Sequence, residues 1–395
     1  MVATGTTVRV RASRHRQPAA CVLGDLDMVA PLALAGIRCS LVTPPGDPAR
    51  YSRRAEFLGW ADPKTDPDRL LSLLLTYAHG QSDKPVLFYQ SDEFALFVGR
   101  HRGDLASAYR LLIPDQALLE DLIDKLRFRA LAARLALPVP ASRLFDPLRE
   151  GMGDNELPFP LLIKPPSRDA RWAALEPAGK AIRVDDARDL KALLPRLVDY
   201  GGTVLLQQII PGPETRIESY HCYVDERGEV AAEFTGSKIR TRPVEFGRTT
   251  AATITDTDDV RRLGREIVSR LRFRGGVAKL DFKRDPDGRL WLLEVNPRYT
   301  LWQHPAARAG VNIPALVWAD LTGQPRPSVG PVRTGVSWCS SWDLQAARQW
   351  GVPLTEWVPW AVRCEARSMM SLDDPLPLLR LAFVRGTRGL RRARR

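Results

Sequence analysis

Two short runs of alternating polar and apolar residues, joined by a compact turn, constrain this chain more than any other feature. The first run is Lys279–Lys283 and the second is 292–296, and in each the polar side chains occupy every other position. Residues 284–288 between them read Arg-Asp-Pro-Asp-Gly, a composition that favours a hairpin turn. The sequence therefore predicts an antiparallel hairpin with three oxygen-bearing side chains on one face: Asp281, Glu294 and Asn296.

This hairpin has two interpretations. Two carboxylates and an amide oxygen are the hard ligands that Mg²⁺ prefers. Arg298, just past the second strand, could reach a transferring phosphoryl group or an anionic intermediate. However, acidic and basic residues that alternate on an exposed hairpin usually form solvated cross-strand ion pairs. The spacing alone does not separate a metal site from a surface ladder of ion pairs.

The first hundred residues alternate short apolar runs with helical periodicity, a pattern that predicts a parallel sheet with crossover helices. The first turn, Leu23–Asp27, lacks the G-x-G-x-x-G fingerprint, so we do not expect a dinucleotide there. Ser91, Asp92 and Glu93 follow a predicted strand, at the end where ligands gather in such sheets. A helix N-cap would explain Ser91 or Asp92 equally well.

The middle of the chain also mixes predicted helices and strands. The predicted helices are Gln116–Leu135, Asp258–Leu271 and Ile313–Leu321. The predicted strands are Pro160–Lys164, Val204–Ile209, Ile217–Val224 and Val230–Ile239, and a Gly- and Thr-containing loop follows residue 239. No GxxxxGK[ST] motif occurs, which excludes a P-loop as the nucleotide site.

The hairpin resembles the metal-binding end of the ATP-grasp superfamily, and more narrowly its carboxylate–amine ligase-like branch. The residues that carry the resemblance are Asp281-Phe282-Lys283-Arg284-Asp285 and Leu293-Glu294-Val295-Asn296-Pro297-Arg298. The resemblance extends over about residues 19–325, because three further segments follow the order of the family. Asp124-Lys125 resembles the segment with the first nucleotide lysine, Phe159–Pro165 the strand with the second, and Leu206–Glu214 the hinge that binds adenine through its backbone.

The resemblance implies roles for individual residues. The implied metal ligands are Asp281, Glu294 and Asn296, and the implied catalytic cations are Arg298, Lys238 and Arg240. The implied ATP contacts are Lys125, Lys164, Ser167, Arg168, Gln207, Gln208, Ile209, Ile210, Glu214 and Lys279.

The chain departs from the family at two places. Its loop 166–180 has Gly179 as its single glycine, where the family usually covers the triphosphate with a glycine-rich loop. Ser167 and Arg168 could substitute as side-chain donors. Asp281 stands where many relatives have Glu, with one methylene less reach.

The resemblance implies an enzyme that uses ATP and Mg²⁺, with Mn²⁺ as an alternative ion. A substrate carboxylate attacks the γ-phosphorus, an acyl phosphate forms, and an amine displaces phosphate; positioning and charge neutralisation do most of the work in such transfers. Small-molecule carboxylates and amines are the expected substrates. Two alternatives stay open: an ATP-grasp kinase that phosphorylates a hydroxyl, and a non-catalytic ATP-binding protein at a membrane surface.

The expected fold is α/β, with α+β character in the two lobes of the ATP-grasp domain. We divide the chain into a disordered basic leader (1–17), a Rossmann-like pre-ATP-grasp domain (18–117), the two-lobed ATP-grasp domain (118–325) and a Trp-rich extension with an Arg-rich tail (326–395). The tryptophans of the extension could cover the active site, meet a partner or bilayer, or simply pack on the preceding domain. A homodimer is compatible with this organisation.

Charge and cysteine content bear on partners and location. Four arginines in the leader and seven in the last sixteen residues supply +11 of the net charge of +12, so the body is nearly neutral and we expect no specific nucleic acid. The Arg-rich tail either touches an anionic membrane or is merely solvated. Five widely spaced cysteines favour free thiols in a reducing compartment, and we expect a cytoplasmic protein that could contact the inner face of the membrane.

Overall fold

The structure of the chain, a computed structural model, describes residues 17–149, 157–166, 170–175, 181–369 and 373–383. These residues form three β-sheets flanked by helices, and the α/β prediction is confirmed. Among the helices of this described part, none is long and apolar enough to cross a membrane.

The N-terminal sheet has five parallel strands in the order β3-β2-β1-β4-β5. Its central strand is buried on both faces: Ala20 and Val22 point into one apolar cluster, and Cys21 and Leu23 point into the other. The elements are β1 (Ala20–Leu23), α1 (Leu26–Leu34), β2 (Cys39–Thr43), β3 (Ala55–Trp60), α2 (Pro67–His79), β4 (Val86–Tyr89), α3 (Asp92–Arg100), α4 (Arg102–Ala108) and β5 (Arg110–Leu111), with a 3-10 turn at Pro48–Tyr51.

The strand order of this sheet reverses next to β1, which pairs with β2 on one side and β4 on the other. In open α/β sheets, ligands bind outside the carboxyl ends of the strands at such a point. Gly24 and Gln90 follow β1 and β4 there, and a Cβ at Gly24 would lie 2.3 Å from the Gln90 side chain. The Gln90 amide oxygen accepts the Asp25 N–H at 2.8 Å, which joins the two loops at the edge of the sheet.

Two helices, α5 (Gln116–Ile123) and α6 (Lys125–Arg134), connect this sheet to the rest of the chain. The prediction of one helix over 116–135 is wrong, because Asp124 has an extended backbone (ψ 124°). Its carboxylate accepts the N–H groups of Leu126 and Arg127 and so caps the second helix. Lys125 consequently begins a helix, where the sequence suggested the middle of one.

The small sheet has four antiparallel strands in the order β6-β9-β7-β8 and packs two helices against one face. Its elements are β6 (Ser142–Phe145), β7 (Leu161–Lys164), α7 (Ala170–Leu175), β8 (Ile182–Val184), α8 (Ala187–Tyr200) and β9 (Val204–Gln208).

The large sheet has seven strands in the order β14-β13-β10-β11-β12-β15-β16. Its elements are β10 (Ile217–Val224), β11 (Val230–Arg242), β12 (Arg248–Thr255), α9 (Asp258–Arg270), β13 (Gly276–Arg284), β14 (Leu290–Asn296), α10 (Gln303–Arg308), α11 (Ile313–Thr322), β15 (Ser337–Cys339), α12 (Asp343–Gln349), α13 (Leu354–Arg363) and β16 (Ala366–Arg367), with a 3-10 turn at Glu214–Arg216 before β10. The Gly- and Thr-containing loop predicted after residue 239 is largely strand β12, whose β-branched threonines suit a pleated surface.

The C-terminal extension is part of this sheet. Its strand β15 pairs antiparallel with β12, and β16 adds beyond it. Further on, the Asp374 carboxylate accepts the Ser52 hydroxyl and the Arg53 N–H of the N-terminal domain. Residues 376–383 are helical. The extension therefore contacts both the large sheet and the N-terminal part of the chain, and its Trp338 is buried, as the packing alternative predicts for that tryptophan.

Candidate active site

The predicted hairpin is formed by β13 and β14. Asp281 is the direct cross-strand partner of Glu294, and Lys279 is that of Asn296. The Glu294 carboxylate is exposed and accepts the Asn296 side-chain N–H at 3.0 Å, whereas Asp281 is buried. The three oxygen-bearing side chains therefore lie together at the mouth of a cleft.

A β-bulge between Asp281 and Phe282 changes the alternation that the sequence predicts for β14. Leu293 is the extra residue, and it lines the cleft beside Glu294 instead of lying on the opposite face. Val295 and Leu292 pack into the core beneath the sheet. Leu293 is thus a cleft residue that strict alternation misses.

Asp281 is surrounded by cations. Its carboxylate accepts the Lys279 ammonium at 2.6 Å and the Ser219 hydroxyl, and the Lys238 ammonium lies 3.7 Å away. Burial would raise the pKa of the Asp281 carboxyl, but the charges of Lys279 and Lys238 and these hydrogen bonds outweigh it and hold that pKa well below its usual range. The carboxylate is ionised at neutral pH, as a metal ligand requires.

Arg298 joins the hairpin to the N-terminal sheet. Its guanidinium pairs with Asp92 at the start of α3 and donates to the Asn296 side-chain oxygen at 3.0 Å. Ser91 caps α3 by accepting the Phe94 N–H, so the capping interpretation applies to Ser91. Asp92 instead belongs to the cleft.

The cleft lies between the small sheet and the large sheet. Its walls include Lys164, the stretch Gln207–Ile210, Glu214, Lys238, Asp281 and Glu294. An adjoining cavity, lined in part by Lys125, Asp92 and Asn296, shares Lys164, Gln207, Leu293 and Glu294 with it. Most of the predicted ATP and metal residues thus line one or both of these adjoining cavities. Lys279 is not among the lining residues, but its ammonium contacts Asp281, which is.

The hinge after β9 has few free backbone groups. The Gln208 N–H donates to the Ala141 carbonyl at 2.9 Å, and the Ile209 N–H donates to the Pro160 carbonyl at 3.0 Å. No hydrogen bond within the described ranges uses the Ile210 N–H. Nearby, Glu214 and Lys283 are both buried and pair at 3.4 Å.

The two predicted nucleotide lysines approach the same loop. The Lys164 ammonium donates to the Gln207 side-chain oxygen at 2.7 Å, and the Lys125 ammonium donates to the Pro165 carbonyl at 3.0 Å. The predicted side-chain donors Ser167 and Arg168 lie outside the described residues.

Among the predicted site residues that the structure describes, Arg240 is turned away from the cleft. Register shifts in β11 on either side of Arg240 turn its side chain away from Lys238. Its guanidinium makes two hydrogen bonds to the buried Asp343 carboxylate, at 3.1 and 2.6 Å, and lies 4.1 Å from the centre of the Trp360 ring. Asp343 and Trp360 belong to the extension, whose role could not be inferred from the sequence.

Two further residues at the site were not among those predicted, Ser219 and Lys283, whereas Asp92 lies at the sheet end where the sequence predicted a ligand. Lys283 shares the polar face of β13 with Asp281, so alternation alone indicated it. Ser219 becomes evident only from the pairing of β10 with β13, which puts it opposite Asp281.

The chain is similar to several known proteins. No family model matches the chain. The chain is 24% identical over 289 residues to a D-aspartate ligase from Enterococcus faecium, which covers 69% of this chain and 68% of that protein. It is 29% identical over 208 residues to a D-alanine–D-alanine ligase from Halorhodospira halophila. That match covers 49% of this chain and 64% of the ligase.

Among solved structures, the biotin carboxylase domain of the Hydrogenobacter thermophilus 2-oxoglutarate carboxylase, in complex with MgADP, ADP and bicarbonate, is similar with a TM-score of 0.60. The identity is 15%, and the match covers 82% of this chain and 74% of that chain. These relatives and the structural neighbour belong to the ATP-grasp superfamily, in agreement with the resemblance of the sequence to that superfamily. The sequence relatives are named as ligases, and the solved structure holds MgADP.

Proposed function

We propose that the chain binds Mg-ATP in the cleft between its two lobes and joins a small-molecule carboxylate to an amine through an acyl phosphate. The observation that carries this proposal is the cross-strand pair of Asp281 and Glu294 beside the Lys279 and Lys238 ammonium groups. Carboxylates and cations so arranged can hold a metal–triphosphate complex and neutralise charge that moves between oxygens.

The donor set suits magnesium. Among the described residues, no group of three or more His, Cys, Asp or Glu side chains could hold a metal ion. The proposed set is instead two carboxylates, Asp281 and Glu294, and the amide oxygen of Asn296, which leaves room for phosphate oxygens as Mg²⁺ sites commonly do. The metal would screen the phosphates and orient the γ-phosphoryl group. Mn²⁺, which accepts the same ligands, is the alternative ion.

We propose that the adenine binds at the hinge, where the Ile210 N–H has no partner among the described residues and where Gln208, Ile209 and Ile210 line the cleft. Glu214, held by Lys283, is placed to accept ribose hydroxyls. Lys125 and Lys164 would exchange their present contacts with Pro165 and Gln207 for phosphate oxygens. Ser167 and Arg168 remain predictions for the loop that follows.

Arg298 contacts the proposed metal ligand Asn296, and Lys238 lies beside Asp281. We propose that they orient the substrate carboxylate and neutralise the phosphoryl group as a carboxylate oxygen attacks the γ-phosphorus, the bond to the β–γ bridging oxygen breaks and ADP leaves. The amine then attacks the acyl carbon, the carbon–oxygen bond breaks, and phosphate leaves with that carboxylate oxygen while the amine loses a proton. Arg240, bound to Asp343, is proposed to act through the position of β11 rather than at the reacting atoms.

The experiment follows the carboxylate oxygen. Amino acids are the first substrates to test, because the two sequence relatives are named for aspartate and alanine. Pools of D- and L-amino acids, labelled with ¹⁸O in their carboxyl groups, are incubated with the protein, Mg-ATP and amines, and phosphate and products are read by mass spectrometry. We expect ¹⁸O in the released phosphate, together with an amide product.

A stable phosphorylated product without condensation would favour the kinase alternative, and ATP binding without turnover on any pool would favour the non-catalytic one. Glu294→Gln should abolish the ¹⁸O transfer, whereas Asp287→Asn, in the exposed turn of the same hairpin, should not.

Two predicted partners remain predictions. Contact with an anionic membrane rests on the Arg-rich tail, and most of that tail, 384–395, lies outside the described residues. Removal of 380–395 should lower binding to anionic vesicles at low salt and spare ATP binding; equal vesicle binding would exclude this role. Homodimer formation is tested by the mass of the protein in solution.

A further inference from the structure

The imidazole of His221, in β10, is a buried polar group that the proposed chemistry does not use. The side chain is fully buried, and in the described part of the chain neither ring nitrogen has a hydrogen-bond partner. A buried polar group without a partner disfavours folding, because its hydrogen bonds to water are lost and not replaced. Stability therefore gives no reason for a histidine at this position.

Aromatic rings hold this imidazole in place. It stacks on the Phe234 ring, with the two ring centres 4.3 Å apart and an angle of 8° between the ring planes. The centre of the Trp302 ring lies 5.2 Å from that of the imidazole. A phenylalanine would offer the same flat ring to these neighbours, so the two nitrogens are what a histidine adds here.

His221 lies next to the proposed metal site. On one face of the large sheet, Ser219 is the cross-strand partner of Asp281, and His221 is that of Lys279. The Cβ atoms of direct cross-strand partners are about 4.5–5.5 Å apart, a distance that a lysine side chain can span. The Lys279 ammonium can therefore reach the imidazole.

The imidazole is neutral and can accept a hydrogen bond. Burial, reinforced by the positive charge of Lys279, lowers the pKa of His221 well below its usual range. A neutral imidazole has one nitrogen that carries a lone pair and no hydrogen, and this nitrogen accepts hydrogen bonds. Lys279 and His221 are thus a donor and an acceptor at facing positions.

In this structure the Lys279 ammonium donates instead to the Asp281 carboxylate, at 2.6 Å. A metal ion on Asp281 would repel that ammonium, because both carry positive charge. Lys279 is buried, so an ammonium that leaves Asp281 needs another acceptor within the protein or on the bound nucleotide. Its three N–H groups allow it to contact a phosphate and His221 at once.

We propose that His221 is a positioning residue, which accepts a hydrogen bond from the Lys279 ammonium when Asp281 binds the metal of Mg-ATP and so keeps Lys279 directed at the phosphates. The inference rests on the proposed function, because it requires Mg-ATP in the cleft. It gives a role to the acceptor nitrogen of a buried imidazole that has no partner among the described residues.

Calorimetric titration of a non-hydrolysable ATP analogue, with Mg²⁺ and with EDTA, tests the proposal in His221→Phe. This variant keeps a ring that can stack on Phe234 but lacks the acceptor nitrogen. We expect the Mg-dependent binding to weaken by about tenfold, because a hydrogen bond to a charged group is lost. Binding in EDTA should stay as in the wild type, since Lys279 then keeps its bond to Asp281. His221→Asn, which retains an acceptor, should recover part of the loss.

His101→Phe is the matched control, because His101 also packs on a phenylalanine ring, that of Phe97 at 4.6 Å, but lies outside the site. It should bind the analogue as the wild type does. The urea midpoint of His221→Phe should equal or exceed that of the wild type, since an unpaired buried polar group is removed.

Nitrogen-15 spectra of protein labelled at its five histidines observe the hydrogen bond itself. The His221 signals are identified by their absence from the spectrum of His221→Phe. The analogue with Mg²⁺ should shift the signal of the acceptor nitrogen, and the analogue with EDTA should leave it unchanged.

The outcomes separate this inference from the function on which it rests. If the wild type shows no Mg-dependent binding, the proposed function fails and the role of His221 fails with it. If the wild type shows that binding and His221→Phe matches it, only the role of His221 is overturned. An equal loss with Mg²⁺ and with EDTA, a lower urea midpoint or an unshifted nitrogen signal would likewise overturn it, because each indicates a purely structural histidine.

Discussion

Asp25, just after the first strand, lies where burial disfavours the ionised form of its carboxyl. Burial, reinforced by the negative charges of Asp27 and Asp47, raises the pKa of the Asp25 carboxyl from 3.8 to about 7. The same carboxylate caps α1 by accepting the Asp27 N–H at 2.8 Å. The chain therefore keeps an acid at a position where its ionised form is costly.

The first prediction concerns Asp25→Asn. Because the pKa is raised in the folded state, the stabilisation from the protonated carboxyl is complete below about pH 4 and is lost as the pH rises through about 7. Asparagine also caps helices but does not ionise. The variant and the wild type should therefore have similar free energies of unfolding near pH 4, and at pH 8 the free energy of unfolding should be higher in the variant, by up to about 4 kcal/mol.

The measurement is urea unfolding at both pH values. Asp186→Asn, at the exposed N-cap of α8, is the control and should show no such gap. A wild type as stable as the Asp25 variant at pH 8 would contradict the account of this residue.

At the scale of elements, the hairpin between β11 and β12 depends on one glycine. A Cβ at Gly247 would lie 1.9 Å from the Pro243 carbonyl oxygen, a backbone atom that cannot rotate away. Phe246 beside it has a positive φ of 54°, and both residues line the ATP cleft. The shape of this turn is thus tied to the shape of the nucleotide site.

Gly247→Ala should therefore move the turn and weaken binding of Mg-ATP, with a loss of stability of about 1–3 kcal/mol. Gly103→Ala is the control, since a Cβ at Gly103 meets nothing within 4 Å and lies in helix α4. Calorimetric ATP titration and thermal unfolding measure both effects. ATP affinity equal to wild type in Gly247→Ala would show that the turn does not shape the site.

The helices and strands also show how much of the fold could be predicted from the sequence. Strands β10, β13 and β14 follow from alternation, and the turn between the last two follows from its Pro-Asp-Gly composition. The break at Asp124 was missed because helical periodicity continues across it. The bulge at Leu293 and the turned Arg240 were missed because a register shift depends on the partner strand.

At the scale of the whole molecule, the extension makes buried contacts with strand β11 of the large sheet. Asp343 is fully buried and binds Arg240 of β11, and Trp350 donates its indole N–H to the Thr241 carbonyl at 2.9 Å. We propose that 326–369 fold together with the ATP-grasp domain. This contact could not be predicted, because it joins residues a hundred positions apart in a segment without a regular pattern.

Asp343→Ala should lower the free energy of unfolding by about 3–5 kcal/mol, because it leaves the Arg240 charge buried without a partner. Arg240→Met/Asp343→Leu should recover much of that stability, since it removes both charges. ATP turnover of the double variant then decides the role of Arg240. Activity near wild type agrees with bracing, and its loss in a stable double variant would place Arg240 in the chemistry.

The central claim is that the β13–β14 hairpin holds the metal of Mg-ATP, and calorimetric titration of a non-hydrolysable ATP analogue with Mg²⁺ and with EDTA tests it most directly. Asp281→Asn and Glu294→Gln should each weaken the Mg-dependent binding by about tenfold or more. The exposed Glu294 position guards against a loss that comes from misfolding, and Asp287→Asn should bind as the wild type does. Mg-dependent affinity that is unchanged in both site variants would contradict the claim.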